Sequence, residues 1–395
     1  MGGVSLPAAA WRDHAGLKRV VDALGPGNAR IVGGAVRDTL LGIDTADVDL
    51  ATIHEPEQVV DLLDAAKIKA VRTGIKHGTI TAVANDEVYE VTTLRRDLDT
   101  DGRHATVAFT DDWREDAARR DFTINALYSD PASGELFDYF GGIDELKARR
   151  VRFIGDPLTR IAEDHLRILR FFRFLARFGD TPDPAALRAC TDRANDLMAL
   201  SRERIANELL RLLVAPRAPE VVALMLEHGI FAPVLPEIGD ALRLATLARQ
   251  EEATGVAPDA IRRLAATLPR DPAAAAAVGA RLKLSNLQRR RLESAALPVD
   301  TEPRALAYRL GVVPAIDRLL LAGEGLEAID GWTPPALPIS GGQLVAKGLT
   351  AGPDVARALR RIENRWIAEG FPDATRVAVI ADDEVAQLLA AMRKP

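Results

Sequence analysis

The sequence predicts an α+β protein in which a small region of strands comes first and helices follow. Residues 31–52 have the pattern of a strand, a Gly-Gly turn, a short helix and a second strand. Residues 80–93 alternate apolar and polar side chains on both sides of the turn residues 85–87, which is typical of a β-hairpin. From Arg160 onward, apolar residues recur at helical spacing, so the remainder is expected to be helical.

The length and composition of the chain limit its architecture and partners. Its 395 residues exceed one ordinary hydrophobic core, so two or more domains are expected. The formal net charge of −6 gives no overall nucleic-acid signal, so any RNA contact has to come from local basic surfaces. The single cysteine, Cys190, excludes a disulfide framework and a cysteine zinc cluster. No apolar run approaches membrane-spanning length, and we expect a cytoplasmic protein without membrane contact.

The first elements follow in order from spacing and turn residues. Residues 7–24 predict a helix that covers the sheet, and the Gly-Pro-Gly sequence at 25–27 ends it. Residues 56–66 predict another helix and residues 68–71 a strand. Residues 95–106 contain one large apolar residue and no periodicity, which predicts a mobile loop or, alternatively, a solvated linker.

Two aspartates on the second strand are candidate metal ligands. Residues two apart on a strand share a face, so Asp47 and Asp49 direct their carboxylates to one point. Paired carboxylates suit hard divalent cations. Upstream, Gly33 and Gly34 let backbone N–H groups approach an anion at the start of a helix. Together these features suit attack on a nucleotide phosphate, whereas an isolated Asp-x-Asp is usually a solvated strand end.

Glu90 is a further candidate ligand. Alternation along residues 88–93 places Glu90 and Val91 on opposite faces of their strand. Glu90 is therefore either a third metal ligand or a solvated strand residue.

A basic motif follows at residues 116–127. Guanidinium groups such as those of Arg119 and Arg120 bind phosphates in a bidentate manner, and a neighbouring carboxylate or amide can hold ribose hydroxyls. A surface cluster of salt bridges is the alternative.

Residues 160–178 contain neither Pro nor Gly before Gly179 and predict one strong helix. Steps of three residues drift by only about 60° on a helix of 3.6 residues per turn, so side chains three apart follow one slowly turning strip. Such a strip is either a solvated face or a surface that reads a ligand. The residues on it are Asp164, Arg167, Arg170 and Arg173.

These motifs resemble the nucleotidyltransferase signature of the polymerase-beta superfamily, in the branch of class II tRNA nucleotidyltransferases and bacterial poly(A) polymerases. Residues 33–49 are similar to its GGxVRD, LLG and DxD pattern, residues 119–126 to RRDFTxNA, and residues 163–170 to EDxxRxxR. Residues 201–205 resemble the SxERI motif, which is usually structural. The resemblance is most specific between Ile31 and Arg173.

The resemblance implies a fold with four parts. They are a nucleotidyltransferase head with a small mixed sheet at residues 1–155, a helical neck that recognises the base at 156–215, a helical body at 216–300 and a tRNA-binding helical tail at 301–395. In the tail, Gly352-Pro353 precedes a helix whose basic face suits an RNA backbone: Arg357, Arg360, Arg361 and Arg365.

The resemblance also implies an activity, the template-independent addition of C, C and A to the 3′ end of tRNA from CTP and ATP, with no role for DNA. Asp47 and Asp49 would hold two Mg²⁺ ions and carry the catalysis. Asp164 and Arg167 would read the base, because a carboxylate and a guanidinium complement cytosine and adenine alike and leave unpaired polar groups with guanine or uracil. The implied nucleotide-binding residues are Gly33, Gly34, Arg37, Arg120, Asp121, Asn125, Asp164, Arg167, Arg170 and Arg173.

Four other functions compete with this one. A CC-only enzyme would be expected to lack the loop predicted at residues 95–106. A bacterial poly(A) polymerase shares the head, but residues 72–83 resemble the GxxHGT form of the tRNA enzymes. An A-adding tRNA nucleotidyltransferase fits the same motifs. A non-catalytic RNA-binding protein on a degenerate head conflicts with the intact acidic and basic residues.

Overall fold

The computed structural model describes residues 5–45, 47–100 and 105–392 of the chain. The chain divides into two compact units, Met1–Ala241 and Leu242–Pro395. The first unit contains all the described strands, which are β1 (Ala29–Val32), β2 (Asp49–Thr52), β3 (Lys69–Gly74), β4 (Thr79–Ala84), β5 (Glu87–Thr93), β6 (Arg95–Thr100), β7 (Ala105–Phe109), β8 (Leu127–Ser129) and β9 (Leu136–Asp138).

The main sheet is mixed, as the resemblance implied. Its strand order is β3-β4-β5-β2-β1-β8-β9. Strands β2 and β5 pair in parallel, with Asp49 opposite Glu90, and the other neighbours are antiparallel. The hairpin predicted at residues 80–93 is confirmed as β4 and β5, with the turn residues Asn85 and Asp86 at positive φ.

Helices cover this sheet and complete the first unit. The sheet packs against α1 and α3, both of which contact β4. The Gly25 cap ends α1 as expected. The helices of the first unit are α1 (Ala15–Leu24), α2 (Gly34–Leu40), α3 (Pro56–Ala65), α4 (Trp113–Ala118), α5 (Gly142–Lys147), α6 (Pro157–Glu163), α7 (Arg167–Phe178), α8 (Pro184–Asp192), α9 (Arg202–Leu213) and α10 (Ala218–Glu227).

The single long helix predicted at residues 160–178 is wrong. The chain forms α6 and α7 with a break at Asp164, whose backbone is extended at φ −151° and ψ 106°. The Asp164 carboxylate accepts a hydrogen bond from the backbone N–H of Leu166 at 3.1 Å. Aspartate side chains compete in this way with helical hydrogen bonds, so Asp164 ends one helix and supports the start of the next.

The loop predicted at residues 95–106 is also partly wrong. Strands β6 and β7 pair in antiparallel fashion from Arg95 opposite Phe109 to Thr100 opposite Ala105. Residues 101–104 of the predicted loop lie outside the described residues. The prediction failed because backbone pairing in a two-stranded sheet does not require large apolar side chains.

The second unit is helical over its described residues. A buried cluster that includes Trp366 and Ile362 forms one of its cores. Among the described residues, no helix is both long enough and apolar enough to cross a membrane. The helices are α11 (Ala241–Thr254), α12 (Ala260–Thr267), α13 (Pro272–Arg281), α14 (Asn286–Ala295), α15 (Pro303–Leu310), α16 (Val312–Ala322), α17 (Gly341–Ala346), α18 (Pro353–Ala368) and α19 (Ala374–Met392).

The basic face expected in the tail lies on α18, but acids pair with most of it. Arg357 pairs with Asp354, Arg361 with Glu384, and Arg365 with Glu369 and Asp383. Within the described part of the chain, Arg360 is the member of the set without an ion pair. Most of the positive charge predicted to meet RNA is therefore balanced within the unit itself.

Candidate active site

A cleft of about 500 Å³ opens in the first unit between the β1–α2 turn, β2 and α7. It brings together residues that are more than 100 positions apart in the sequence. Its lining consists of Val32, Gly33, Gly34, Arg37, Asp49, Arg95, Arg119, Arg120, Asp121, Asn125, Asp164, Leu166, Arg167, Arg170, Phe174 and Arg204.

The Gly-Gly turn forms one wall of the cleft. The predicted strand, turn and helix are present as β1, Gly33-Gly34 and α2. Gly33 has φ +68°, a left-handed conformation that disfavours side chains, and a Cβ there would lie 3.7 Å from Nη1 of Arg120. The positive φ therefore favours glycine at this turn, and the turn lies beside Arg120.

The two aspartates lie at the start of β2. Asp47 precedes the strand and Asp49 begins it, so the strand is shorter than predicted. Both side chains are exposed, while Val48 and Leu50 are buried. The expected alternation is therefore present, although only Asp49 lines the cleft.

The Asp49 carboxyl is crowded by other acids. It is open to the cleft, yet protein atoms surround its inner side, and this desolvation is the largest cause that raises its pKa to about 6. The charge of Glu90, opposite on β5, raises the pKa further, Arg120 lowers it, and Asp47 adds a smaller increase.

The acidic oxygens are the donors that a hard divalent cation prefers. Within the described ranges, no three His, Cys, Asp or Glu side chains already have the geometry of a metal site. The donor chemistry and the repulsion between Asp49 and Glu90, which Arg120 only partly offsets, nevertheless fit a cation here.

Arg120 is held by a buried acid that the sequence analysis did not single out. Its Nη2 donates to Asp116 at 3.0 Å and its Nε donates to the Tyr128 hydroxyl at 3.1 Å. The same carboxylate accepts from Arg119 and Tyr128. Burial alone would raise the pKa of Asp116, but the charges of Arg120 and Arg119 outweigh it and lower the pKa. The i,i+4 spacing of Asp116 and Arg120 was the available sequence signal.

Asp121 links the head to α7. Its carboxylate accepts from the Asn125 amide at 2.9 Å and from Nε of Arg170 at 2.7 Å. Asn125 in turn accepts from Nη1 of Arg37 at 2.5 Å, and Arg37 also pairs with Asp38. Arg37, Asp121 and Asn125 are all nearly buried. Their contacts with one another form a continuous support beneath the cleft.

Asp164 and Arg167 both line the cleft, but each has another protein partner. Asp164 accepts from Nη2 of Arg204 at 2.8 and 3.1 Å. Arg167 pairs with Glu163 and donates to the backbone carbonyl of Arg119 at 3.0 Å. The break between α6 and α7 therefore turns Asp164 toward α9 instead of onto a helical strip.

The last two arginines of the predicted strip differ in position. Arg170 lines the cleft beside Asp121, whereas Arg173 is not among its lining residues. Arg173 donates to Glu208 at 2.5 Å and lies 4.3 Å from the Phe174 ring centroid.

Arg204 is a cleft residue that sequence reasoning assigned to a structural motif. It lies 40 positions from Asp164, and no spacing rule connects the two. Its only sequence signal was its place in the 201–205 motif.

Two family models match this chain. The one described as the poly(A) polymerase head domain covers residues 29–152. The one described as a probable RNA and SrmB-binding site of polymerase A covers residues 181–242.

Curated relatives match across most of the chain. The mitochondrial CCA tRNA nucleotidyltransferase 1 of Danio rerio is 37% identical over 360 residues, which are 85% of this chain and 83% of the relative. The chain belongs to the CCA tRNA nucleotidyltransferase family. Another member, the Mus musculus protein of the same name, is 34% identical over 90% of this chain and 87% of its own length. The CCA-adding enzyme of Geobacillus sp. (strain WCH70) is 38% identical over 54% of this chain and 52% of its own.

Solved structures of the family share the fold. The Bacillus stearothermophilus CCA-adding enzyme in complex with CTP has a TM-score of 0.71 at 27% identity, over 95% of this chain and 98% of that one. The Thermotoga maritima CCA-adding enzyme complexed with tRNA has a TM-score of 0.64 over 91% of each chain, and its 21% identity shows the fold alone. The α+β prediction, with a mixed-sheet head and helices after it, is confirmed.

Proposed function

We propose that this protein adds C, C and A to the 3′ end of tRNA from CTP and ATP without a nucleic-acid template. The observation that carries the proposal is a single cleft holding the Asp49 carboxylate together with Asp164 and Arg167. Membership of the family supports the reaction. The cleft supports it independently, because chemistry on a phosphate and inspection of a base have to occur on one nucleotide.

The acids at the start of β2 are proposed to bind divalent metal. Asp47 and Asp49 would hold two Mg²⁺ ions, and Glu90, opposite Asp49 in the sheet, is the candidate third ligand. When bound, such ions activate the RNA 3′-hydroxyl and stabilise the leaving pyrophosphate. The protein would contribute two carboxylates, one at Asp47 just before β2 and one at Asp49, the first residue of the strand.

The triphosphate would lie between the Gly-Gly turn and Arg120. Asp116 and Tyr128 fix the guanidinium of Arg120, so its orientation does not have to be established when the nucleotide binds. Arg37 is nearly buried and donates to Asn125, so we propose that it acts on the nucleotide through Asn125 and Asp121.

The base would meet Asp164 and Arg167. A carboxylate accepts from the exocyclic amine of cytosine or adenine, and a guanidinium donates to the neighbouring acceptor. Arg204 and Glu163 hold these two side chains in the described structure. Arg170 contacts Asp121 and would support the pair.

The test offers purified protein three tRNA transcripts: one lacking CCA, one ending in CC and one complete. Each nucleoside triphosphate is supplied alone, and CTP is also supplied with ATP. The proposal predicts C addition to the first transcript, A addition to the second and no extension of the complete one.

The competing functions give different products. An A-adding enzyme extends only the transcript that ends in CC, and a poly(A) polymerase adds A to all three. A non-catalytic RNA-binding protein extends none. The cytoplasmic location stays a prediction, which fractionation of cells would test.

The metal chemistry is tested with the double substitution Asp47→Ala and Asp49→Ala. We expect loss of incorporation on every transcript with tRNA binding retained, because the metal ligands are lost while the RNA-binding residues remain. Continued nucleotide transfer by the double variant would contradict the assignment.

A further inference from the structure

A smaller cavity lies in the second unit, where three arginines are among the lining residues. Arg243 comes from α11, Arg270 from the segment between α12 and α13, and Arg318 from α16. The cavity has a volume of about 190 Å³, and the described residues that line it include no Asp or Glu. We name it the arginine pocket. It shares no lining residue with the cleft of the first unit.

Backbone carbonyls hold two of these guanidinium groups in place. Arg270 donates through Nη2 to the carbonyl of Leu321 at 3.2 Å. Arg318 donates through Nε to the carbonyl of Ser294 at 2.8 Å. These carbonyls lie at the ends of α16 and α14, where cations are favoured. The contacts fix each guanidinium but do not neutralise it.

Both guanidiniums keep donors for a ligand. A guanidinium carries five N–H donors. Within the described residues, Nε and Nη1 of Arg270 and Nη2 of Arg318 have no protein acceptor. A bound acceptor in the pocket could use these groups.

The charge of Arg318 is also not balanced by an ion pair within the described residues. Arg318 is nearly buried, and no described carboxylate forms an ion pair with it. Burial lowers the pKa of Arg318, and the charge of Asp300, which does not line the pocket, only partly opposes this. Burying a cation without an anion costs free energy, so an anion bound here would stabilise the unit.

We propose that the arginine pocket binds a single phosphate group. Guanidinium forks pair with oxyanions in a bidentate manner, and the open donors of Arg270 and Arg318 together suit phosphate better than a singly charged carboxylate. Sites for drug-sized ligands occupy about 300–1,000 Å³, so this smaller cavity favours a compact anion over a whole nucleotide. The phosphate comes either from an RNA backbone or from free phosphate.

The first arm of the test uses inorganic phosphate and the full-length protein. Isothermal titration compares wild type with Arg270→Gln and with Arg249→Gln. Arg270 is exposed, so its replacement leaves the core intact, and thermal unfolding verifies folding. Arg249 is the matched control, since it is an exposed arginine of α11 outside the pocket. Acetate replaces phosphate as the control anion.

Loss of charge-assisted hydrogen bonds should weaken phosphate binding by about tenfold or more in Arg270→Gln. Arg249→Gln should bind as wild type does, and acetate should bind no variant with comparable affinity. Phosphate that enters the cleft of the first unit contributes equally to the measured binding of all three proteins, because neither Arg270 nor Arg249 lines that cleft. The difference between variants therefore isolates the arginine pocket.

The second arm measures tRNA affinity as a function of salt by filter binding. If the phosphate belongs to RNA, Arg270→Gln weakens tRNA binding and reduces the salt slope by about one. If free phosphate is the ligand, only the first arm responds. An Arg270→Gln protein that matches Arg249→Gln in both arms overturns the proposal. Neither arm requires catalysis, so failure here is distinct from failure of the proposed function.

Discussion

Asp49 combines a position in the cleft with surroundings that disfavour its negative charge. Its position at the start of β2 directs it into the cleft, where desolvation and the neighbouring acids Glu90 and Asp47 disfavour its charge. Such repulsion costs stability without a ligand and strengthens binding of a cation. The raised pKa makes the charge of this carboxyl depend on pH just below neutrality.

The pH dependence of stability follows from this pKa. In the unfolded chain the Asp49 carboxyl has a pKa of about 3.9. In the folded protein its pKa is about 6. Because the folded pKa is raised, this group's contribution to stability falls as pH rises between these values and stays low above them. In metal-free protein, Asp49→Asn should therefore raise the melting temperature near about pH 7 and leave it unchanged near about pH 3.

The measurement is thermal unfolding in chelator across that pH range. Asp61→Asn, an exposed residue of α3 outside the cleft, is the control. Added Mg²⁺ should stabilise wild type and not Asp49→Asn. A wild-type protein that is as stable as Asp49→Asn at neutral pH without metal would contradict the prediction.

The proposed base selection also depends on individual residues. Asp164→Ala or Arg167→Ala removes one of the two groups that would recognise the base edge. Discrimination against UTP and GTP should fall by roughly 10–100-fold, because each lost hydrogen bond to a charged group is worth about 1.5–3 kcal/mol. Single-nucleotide incorporation rates measure this effect. Discrimination equal to that of wild type would refute these roles.

Arg173→Ala is the comparison for that experiment. Arg173 does not line the cleft and pairs with Glu208. Its replacement should alter stability more than base choice.

The break between α6 and α7 is the decisive feature at the scale of elements. An uninterrupted helix would place Asp164 on the strip with Arg167. The extended backbone at Asp164 instead brings its carboxylate to Arg204 of α9. Asp164, Arg167 and Arg204 therefore meet in the lining of the cleft, and α9 becomes part of that lining.

Arg204→Ala should separate positioning from folding. Without Arg204, the Asp164 carboxylate loses both of its guanidinium contacts. We expect KM for CTP and ATP to rise by about tenfold, with a smaller change in kcat, because the acids that carry the chemistry are untouched. Arg204→Lys should restore part of the affinity, since it keeps the charge and loses the fork.

Steady-state kinetics at fixed tRNA provide that measurement, and circular dichroism verifies the helical content. If Arg204→Ala lowers kcat and leaves KM unchanged, Arg204 does not position the base-reading carboxylate.

At the scale of the whole molecule, the second unit depends on a buried network of charges. Asp317 is fully buried and accepts from Nε of Arg262 at 2.9 Å and from Nη2 of Arg291 at 2.8 Å. Glu251, also buried, accepts from Arg262 and Arg263. The network joins four helices, α11, α12, α14 and α16.

Removal of one acid should leave two guanidiniums poorly compensated. Asp317→Ala is expected to destabilise the second unit by about 3–5 kcal/mol, as for other broken buried ion pairs. Urea unfolding monitored by Trp366 fluorescence, with the other tryptophans replaced, would report it. Asp382→Ala breaks the more exposed pair with Lys347 and should cost about 0–1 kcal/mol. Equal losses of unfolding free energy in Asp317→Ala and Asp382→Ala would contradict the prediction.

The sequence predicted much of the fold because local rules decide much of it. Alternation identified β4 and β5, and the positive φ of Gly33 is a conformation that its residue type favours. The acids of β2 were recognised because strand periodicity is strict. The loop at 95–106 was mispredicted because two adjacent short strands can pair through their backbones without the apolar spacing by which strands are recognised.

The sequence by itself determined which chemical groups this protein has: the aspartates at 47 and 49, the arginine at 120, and the Asp and Arg of residues 164 and 167. Only the tertiary structure decided which residues hold each of these groups in place. Asp116 fixes Arg120, and Arg204 holds Asp164. Asp164 and Arg167 line the same cleft as Asp49. The reason is physical, since spacing along one element fixes direction, whereas ion pairs between distant elements depend on how the chain packs.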